Sequence, residues 1–192
     1  YNWINSSSSL TVLNMPFEKI NDSNSDSAHD YSTYGNNGSE KGIVSWGATS
    51  GIDGKGAYNF YGVDDHIEIA HDSSHNLVDF VTIELWFNPS ISYDSSLSDY
   101  IVLVSRQDGG DDTYGLFINP DGKLHFGSQG GNIQSTQASW SSGTWYHIIG
   151  TYRDVGGTRT GELYINGVQE TLSVDSYDNM AGSTSPLGIG YD

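Results

Sequence analysis

The sequence predicts an all-β protein, a two-sheet antiparallel β-sandwich of jelly-roll type. Three observations point there. With 24 glycines, 13 tyrosines and only two methionines in 192 residues, no stretch of twelve or more residues carries apolar side chains at helical spacing. Apolar side chains alternate instead over short runs, and each run is bounded by Gly, Asn, Asp, Ser or Pro. Two of the boundaries carry tight-turn chemistry: Asn166-Gly167 in "YINGVQ", where a hairpin needs positive φ, and Pro120 with Gly122 in "INPDGKL".

In chain order, the first nine residues, with "NSSSS", read as a flexible lead-in. Residues 10–192 read as a single domain. "GAYNFYG" and "DHIEIA" are the first clear strands. "FVTIELWFN" follows, with Val81, Ile83, Leu85 and Phe87 alternating against Thr82, Glu84, Trp86 and Asn88. One face of that strand belongs to a core, and Trp86 faces the other way, toward a second covered face or a binding face. "DYIVLVS", "TYGLFIN", "KLHFG", "WYHIIGTYR", "GELYIN", "VQETL" and "PLGIG" complete about ten to twelve strands.

Composition narrows the function. Seven basic residues against 24 acidic ones give a formal charge of −17, which repels a phosphate backbone, so nucleic acid is not an expected partner. Such a charge suits salty or extracellular surroundings or the collection of divalent cations. The absence of cysteine removes disulfides, thiolate metal sites and thiol nucleophiles together. No apolar run reaches membrane-spanning length, so no membrane insertion is expected, and the first residues lack the pattern of a signal peptide. Asn-x-Ser/Thr sequons at Asn5, Asn21 and Asn37 match the number that this Ser and Thr content gives by chance.

With the strands placed, "GKGAYNFYGVDDHIEIAHDSSHNLVDFVTIELWFNPS" resembles the laminin G-like branch of the concanavalin A-like jelly rolls, through Phe60, Gly62, Asp64, Asp65, Trp86 and Pro89. A second block, "WYHIIGTYRDVGGTRTGELYINGVQ", is similar to the family's Trp-x-His strand and following hairpin, through Trp145, His147, Thr151, Tyr164, Asn166 and Gly167. Upstream, "AHDYSTYGNNG" resembles the Asp-rich loop that precedes the first block. The resemblance spans roughly residues 13 to 190. It implies one more strand after "PLGIG", beside the first strand, so the domain is expected to lack its last strand, to reorganise the edge with an early segment such as "SLTVLNM", or to have the strand supplied by a neighbouring chain.

Catalytic signatures are missing. The Glu-x-Asp-x-x-Glu strand motif of glycoside hydrolases on this fold does not occur, and Glu84 and Glu68 stand singly in their strands as solvated residues. His147, in an alternating strand, suits a hydrogen-bonded structural role. Cation chemistry is the alternative, since calcium takes six to eight oxygens of the kind that Asp, Asn and main-chain carbonyls supply. Asp22-x-Asn24-x-Asp26 imitates the start of an EF-hand loop but has Ser27 and Thr33 where Gly and Glu are needed. The resemblance implies instead a calcium held by Asp30, Asn36, Asp64 and Asp65.

For a sugar ligand, aromatic faces are required as well. Trp140, in the polar "QASWSSGTW", is the expected stacking residue, with Asp108, Asp111, Asp112 and Tyr114 of "RQDGGDDTYG" at the rim; Trp46, Tyr34 and Tyr93 are further candidates, and Trp86 and Trp145 are assigned to the core. The combined expectation is a non-catalytic, calcium-stabilised extracellular or cell-surface module that binds glycan or glycoprotein through rim loops. The alternatives are a structural or filament subunit completed by a neighbouring copy, and, third, a polysaccharide-cleaving enzyme.

Overall fold

A computed structural model describes residues 4–5, 8–9, 11–18, 27–62, 64–95, 97–108, 111–128, 131–177, 180 and 182–190, without the side chains of residues 4–5, 8–9, 27, 107–108 and 111–112. Asp22, Asn24 and Asp26, the start of the EF-hand-like stretch, lie outside the described residues. Among the described residues there is no α-helix, and a 3-10 turn covers Ser73–His75. The chain divides into two compact units, residues 1–75 with 184–192, and residues 76–183.

In the first unit, Ile4–Asn5 (β1) pairs with Ser8–Ser9 (β2) where the sequence predicts an irregular lead-in. Ser27–Ala28 (β3), Gly38–Lys41 (β4), His66–Ile69 (β7) and Leu187–Ile189 (β17) lie side by side, and Ser45–Gly47 (β5) with Ala57–Asn59 (β6) makes a separate hairpin. Strand β4 went unpredicted because "GSEK" carries no apolar side chain. Gly38 is what admits it: a Cβ there would collide with Ile67, which is fully buried.

The second unit is a two-layer sandwich. One layer orders Phe80–Phe87 (β8), Tyr146–Val155 (β13), Thr158–Ile165 (β14) and Val168–Gln169 (β15) as β8-β13-β14-β15. The other contains Ile101–Asp108 (β9), Asp111–Ile118 (β10), Leu124–Ser128 (β11), Gly131–Ser135 (β12) and Leu172–Asp175 (β16), paired in the order β9-β10-β11-β12-β16. All these pairings are antiparallel, and both predicted hairpins form: Asn166 and Gly167 have φ of 52° and 76°, and Gly122 has φ of 80°.

Inward side chains alternate as the sequence pattern requires. Val81, Ile148, Leu163 and Ile165 of the first layer and Leu116, Ile118, Leu124, Phe126 and Ile133 of the second are buried. The layers approach closely where Gly150 sits under Phe126, since a Cβ on residue 150 would lie 2.7 Å from the Phe126 ring. Strand β12 went unpredicted for a similar reason. Its inward positions are Gly131, Ile133 and Ser135, and small residues at two of three places erase the hydropathy signal.

Arg106 is fully buried in this unit. Its guanidinium donates to Asn76 Oδ1 at 2.9 Å and to the Ser183 carbonyl at 2.6 Å, so one cation ties the first and last residues of the unit's chain to strand β9.

Candidate functional site

The predicted rim residues separate. Trp140 is 1% exposed and belongs to the core, the reverse of the stacking role expected of it. Its indole N–H donates to the Gly122 carbonyl at 2.7 Å, and its ring meets Tyr146 and Phe87 edge-on at centroid distances of 4.9 and 5.3 Å. Polar neighbours in sequence concealed this, because the loop folds the Trp140 ring inward and turns Ser139, Ser141 and Ser142 outward. Tyr114 is likewise buried at 2% exposure. Burial pushes its phenol up to about 12 although the Arg106 charge beside it pulls the other way. Asp108, Asp111 and Asp112 do not form a loop: their backbones continue the β9-β10 ladder, with Asp111 opposite Asp108 and Asp112 opposite Gln107. Their side chains lie outside the described set.

The residues proposed for calcium have other partners. Asp30 is 2% exposed. Its Oδ1 accepts the backbone N–H groups of Asn14 and Ser32 at 2.8 and 2.9 Å, and its Oδ2 accepts the Ser32 hydroxyl and the Asn36 N–H, both at 2.7 Å. Burial pushes the Asp30 carboxyl upward, but these bonds more than offset it and hold the pKa below the usual carboxylate range.

Asn36 turns its amide N–H toward the Val12 carbonyl and the Ser74 hydroxyl. Asp65, 3% exposed, accepts the N–H groups of Ile43 and Tyr61, while Asp64 is exposed with a φ of 60°. Two oxygens have about four acceptor sites, and in Asp30 four donors fill them. At Asp30 the N–H groups point at the oxygens a metal would need, and among the described residues no three acidic or histidine side chains converge on one point. EDTA is therefore expected to leave the melting temperature unchanged. A fall on chelation, reversed by calcium, would show that the loop rearranges around the ion.

The surface with chemistry to offer is the outer face of the β8-β13-β14-β15 layer. Trp86, assigned to the core from its place in the family strand block, is 48% exposed there, on the face to which the alternation of its strand turns it. Its ring stacks on His147 at 4.7 Å and 26°, and His147 Nε2 lies 2.8 Å from Glu84 Oε1. The register explains the grouping: Trp86 is opposite His147, Glu84 is opposite Ile149, and Ile149 is opposite Tyr164, which is opposite Gln169. Tyr164 donates its hydroxyl proton to Glu162 at 2.7 Å, and the Gln169 amide donates to the other oxygen of Glu162 at 3.2 Å.

Phe80, 59% exposed, ends the same outward row of β8. The face thus combines one aromatic ring held in orientation by a neighbour with fixed carboxylates, a hydroxyl and an amide. The signal for it was present in "VTIELWF", where Trp86 shares the parity of Thr82 and Glu84 and not that of the aliphatic residues. The space lined by Phe126, Asn132, Ile133 and Tyr177 holds about 10 Å³, room for a single water.

Comparison with known proteins agrees with this architecture. The family model of the concanavalin A-like lectin/glucanases superfamily, in its laminin G form, matches residues 60–192. The chain belongs to that family. Among solved structures it is similar to the binding domain of Paraclostridial Mosquitocidal Protein 1, with a TM-score of 0.67 and 19% identity. The similarity covers 85% of this chain and 41% of that one, so the chain spans about two fifths of that structure. No curated protein matches the sequence.

Proposed function

We propose that this chain is a non-catalytic carbohydrate-recognition module, acting outside the cell or at its surface, and that its ligand lies on the outer face of the β8-β13-β14-β15 layer. One observation carries the reading: a half-exposed Trp86 ring braced by His147, with Glu84, Tyr164, Glu162 and Gln169 anchored beside it. Sugars are bound through an aromatic face that covers their C–H surface and polar groups that fix their hydroxyls. Preorganised side chains lose little entropy on binding, and here each polar group is already held by its neighbour.

The membership in a superfamily of lectins and glucanases and the fold shared with a domain named for binding support a recognition role. Catalysis has less support on this face. Glu84 and Glu162 sit two strands apart and two residues out of register, so their Cα atoms are roughly 12 Å apart, and each carboxylate is committed to a partner. Paired glycosidase carboxylates instead face one scissile bond from either side. Calcium is not part of this reading, because four internal donors already fill the buried Asp30 carboxylate.

A glycan array probed with the chain tests the proposal. A hit should lose about tenfold or more in affinity on Trp86→Ala, the loss of one stacking surface, and should keep its affinity on Tyr34→Ala, an exposed tyrosine of the other unit. Hits unaffected by Trp86→Ala would move the site elsewhere, and a blank array would favour the structural-subunit reading.

A further inference from the structure

Strand β8 ends its layer, and the hydrogen-bond parity shows which of its backbone groups are left over. The Asp154 N–H donates to the Asp79 carbonyl at 2.7 Å, and these residues lie in register with the pairing that sets Arg153 opposite Phe80. Bonded pairs alternate along an antiparallel ladder. Val81, Ile83, Leu85 and Phe87 therefore bond to β13. On the other side of β13 the Asn166 N–H donates to the His147 carbonyl at 2.8 Å, the alternation that this parity demands. The N–H and C=O groups of Phe80, Thr82, Glu84 and Trp86 consequently point away from the layer. Among the described residues no strand pairs with them.

Natural edges of this length are guarded by Pro, charged side chains (Lys above all), a bulge or a covering segment, and β8 has a single charge, Glu84. Phe80–Phe87 contains no Pro, Lys or Gly, and its register with β13 has no shift. Its eight residues are fully extended and its outward side chains are exposed: Phe80 at 59%, Trp86 at 48% and the Glu84 side chain at 62%.

We propose that β8 is a self-association edge, pairing antiparallel with β8 of a second copy about a two-fold axis at Ile83. The four free residues are centred on Ile83, so this register joins every one of them. Phe80 falls opposite the partner's Trp86, and Thr82 opposite the partner's Glu84. Each of these contacts occurs twice, as an isologous interface requires. Centring one residue later, on Glu84, would set that carboxylate against its own copy, which is unfavourable. The chosen register instead gives two aromatic cross-strand pairs and no like charges face to face. It also joins two four-stranded layers into a continuous eight-stranded one, with both Trp86 faces on the same side.

Sedimentation velocity across a concentration series, at low and high salt, tests this. A monomer–dimer equilibrium is expected, tighter at high salt because two chains of charge −17 must approach. Glu84→Pro removes an N–H that β13 does not use, and a proline is tolerated in that position of an edge strand. It should abolish the dimer while leaving the circular dichroism spectrum unchanged. Thr82→Glu, which sets two pairs of glutamates opposite each other, should weaken dimerisation about tenfold and needs no backbone change.

Hydrogen exchange supplies a second readout, since the Phe80, Thr82, Glu84 and Trp86 amides should be protected in the dimer, all four exposed in Thr82→Glu, and the three that remain exposed in Glu84→Pro. A chain that stays monomeric at every concentration and salt overturns the proposal. So does a dimer that survives both variants, and so does a monomer in which those four amides are protected, which would give the edge to a different strand.

Discussion

Arg106→Ala is expected to cost about 3–5 kcal/mol of stability. The side chain is fully buried and donates to Asn76 Oδ1 and to the Ser183 carbonyl. Its charge also lies against the Tyr114 phenol, itself 2% exposed. Removing the guanidinium takes a charged donor from the buried Ser183 carbonyl, and an unsatisfied buried polar group costs about 1–3 kcal/mol. The lost methylenes leave a cavity besides.

Arg106→Lys keeps the charge but presents a single ammonium where a planar fork reaches two separated acceptors, so it should recover only part of the loss. Urea unfolding followed by tryptophan fluorescence measures both variants. A midpoint within error of the wild type for Arg106→Ala would show that the tie between Asn76 and Ser183 carries no stability.

Asp30→Ala is expected to destabilise by roughly 3 kcal/mol, and the same carboxylate should govern part of the acid limb of stability. Three backbone N–H groups and one hydroxyl converge on it. Because the folded-state pKa lies below the ordinary value of 3.8, the folded state holds the proton less tightly than the unfolded one. The contribution is therefore complete above the unfolded pKa, near pH 4, and is lost as pH falls through the folded one. Wild-type stability should drop below about pH 4, and Asp30→Asn should be less stable at neutral pH with a flatter decline over that range. Thermal melts from pH 2 to 7 check this. An Asp30→Asn acid limb as steep as the wild type would mean that other carboxylates carry the transition.

Local pattern was legible wherever inward positions were large and apolar. The runs that became β8, β9, β10, β13 and β14 were found in order, and the two turns were placed by residues that tolerate positive φ. Strands β4 and β12 were not found, because Gly38 and Gly131 contribute to their layers by having no side chain. The site was less legible. Trp140, in a polar loop, lies in the core, and Trp86, in a family strand block, lies at the surface to which the parity of its strand turns it.

Sequence by itself determined the all-β sandwich, its hairpins and the alternation that fixes which residues of each strand share a face, because strand geometry gives side chains a period of two wherever the chain is extended. It also carried the family membership. Only the tertiary structure decided which of those faces meets another layer and which meets water. That depends on neighbouring strands far away in sequence: His147 lies beside Trp86, and Tyr93, Gly122 and Tyr146 close around Trp140. The same holds for the acidic loops. Composition supplied carboxylates, but whether Asp30 faces a cation or a ring of backbone N–H groups is set by where Asn14 and Asn36 bring their amides.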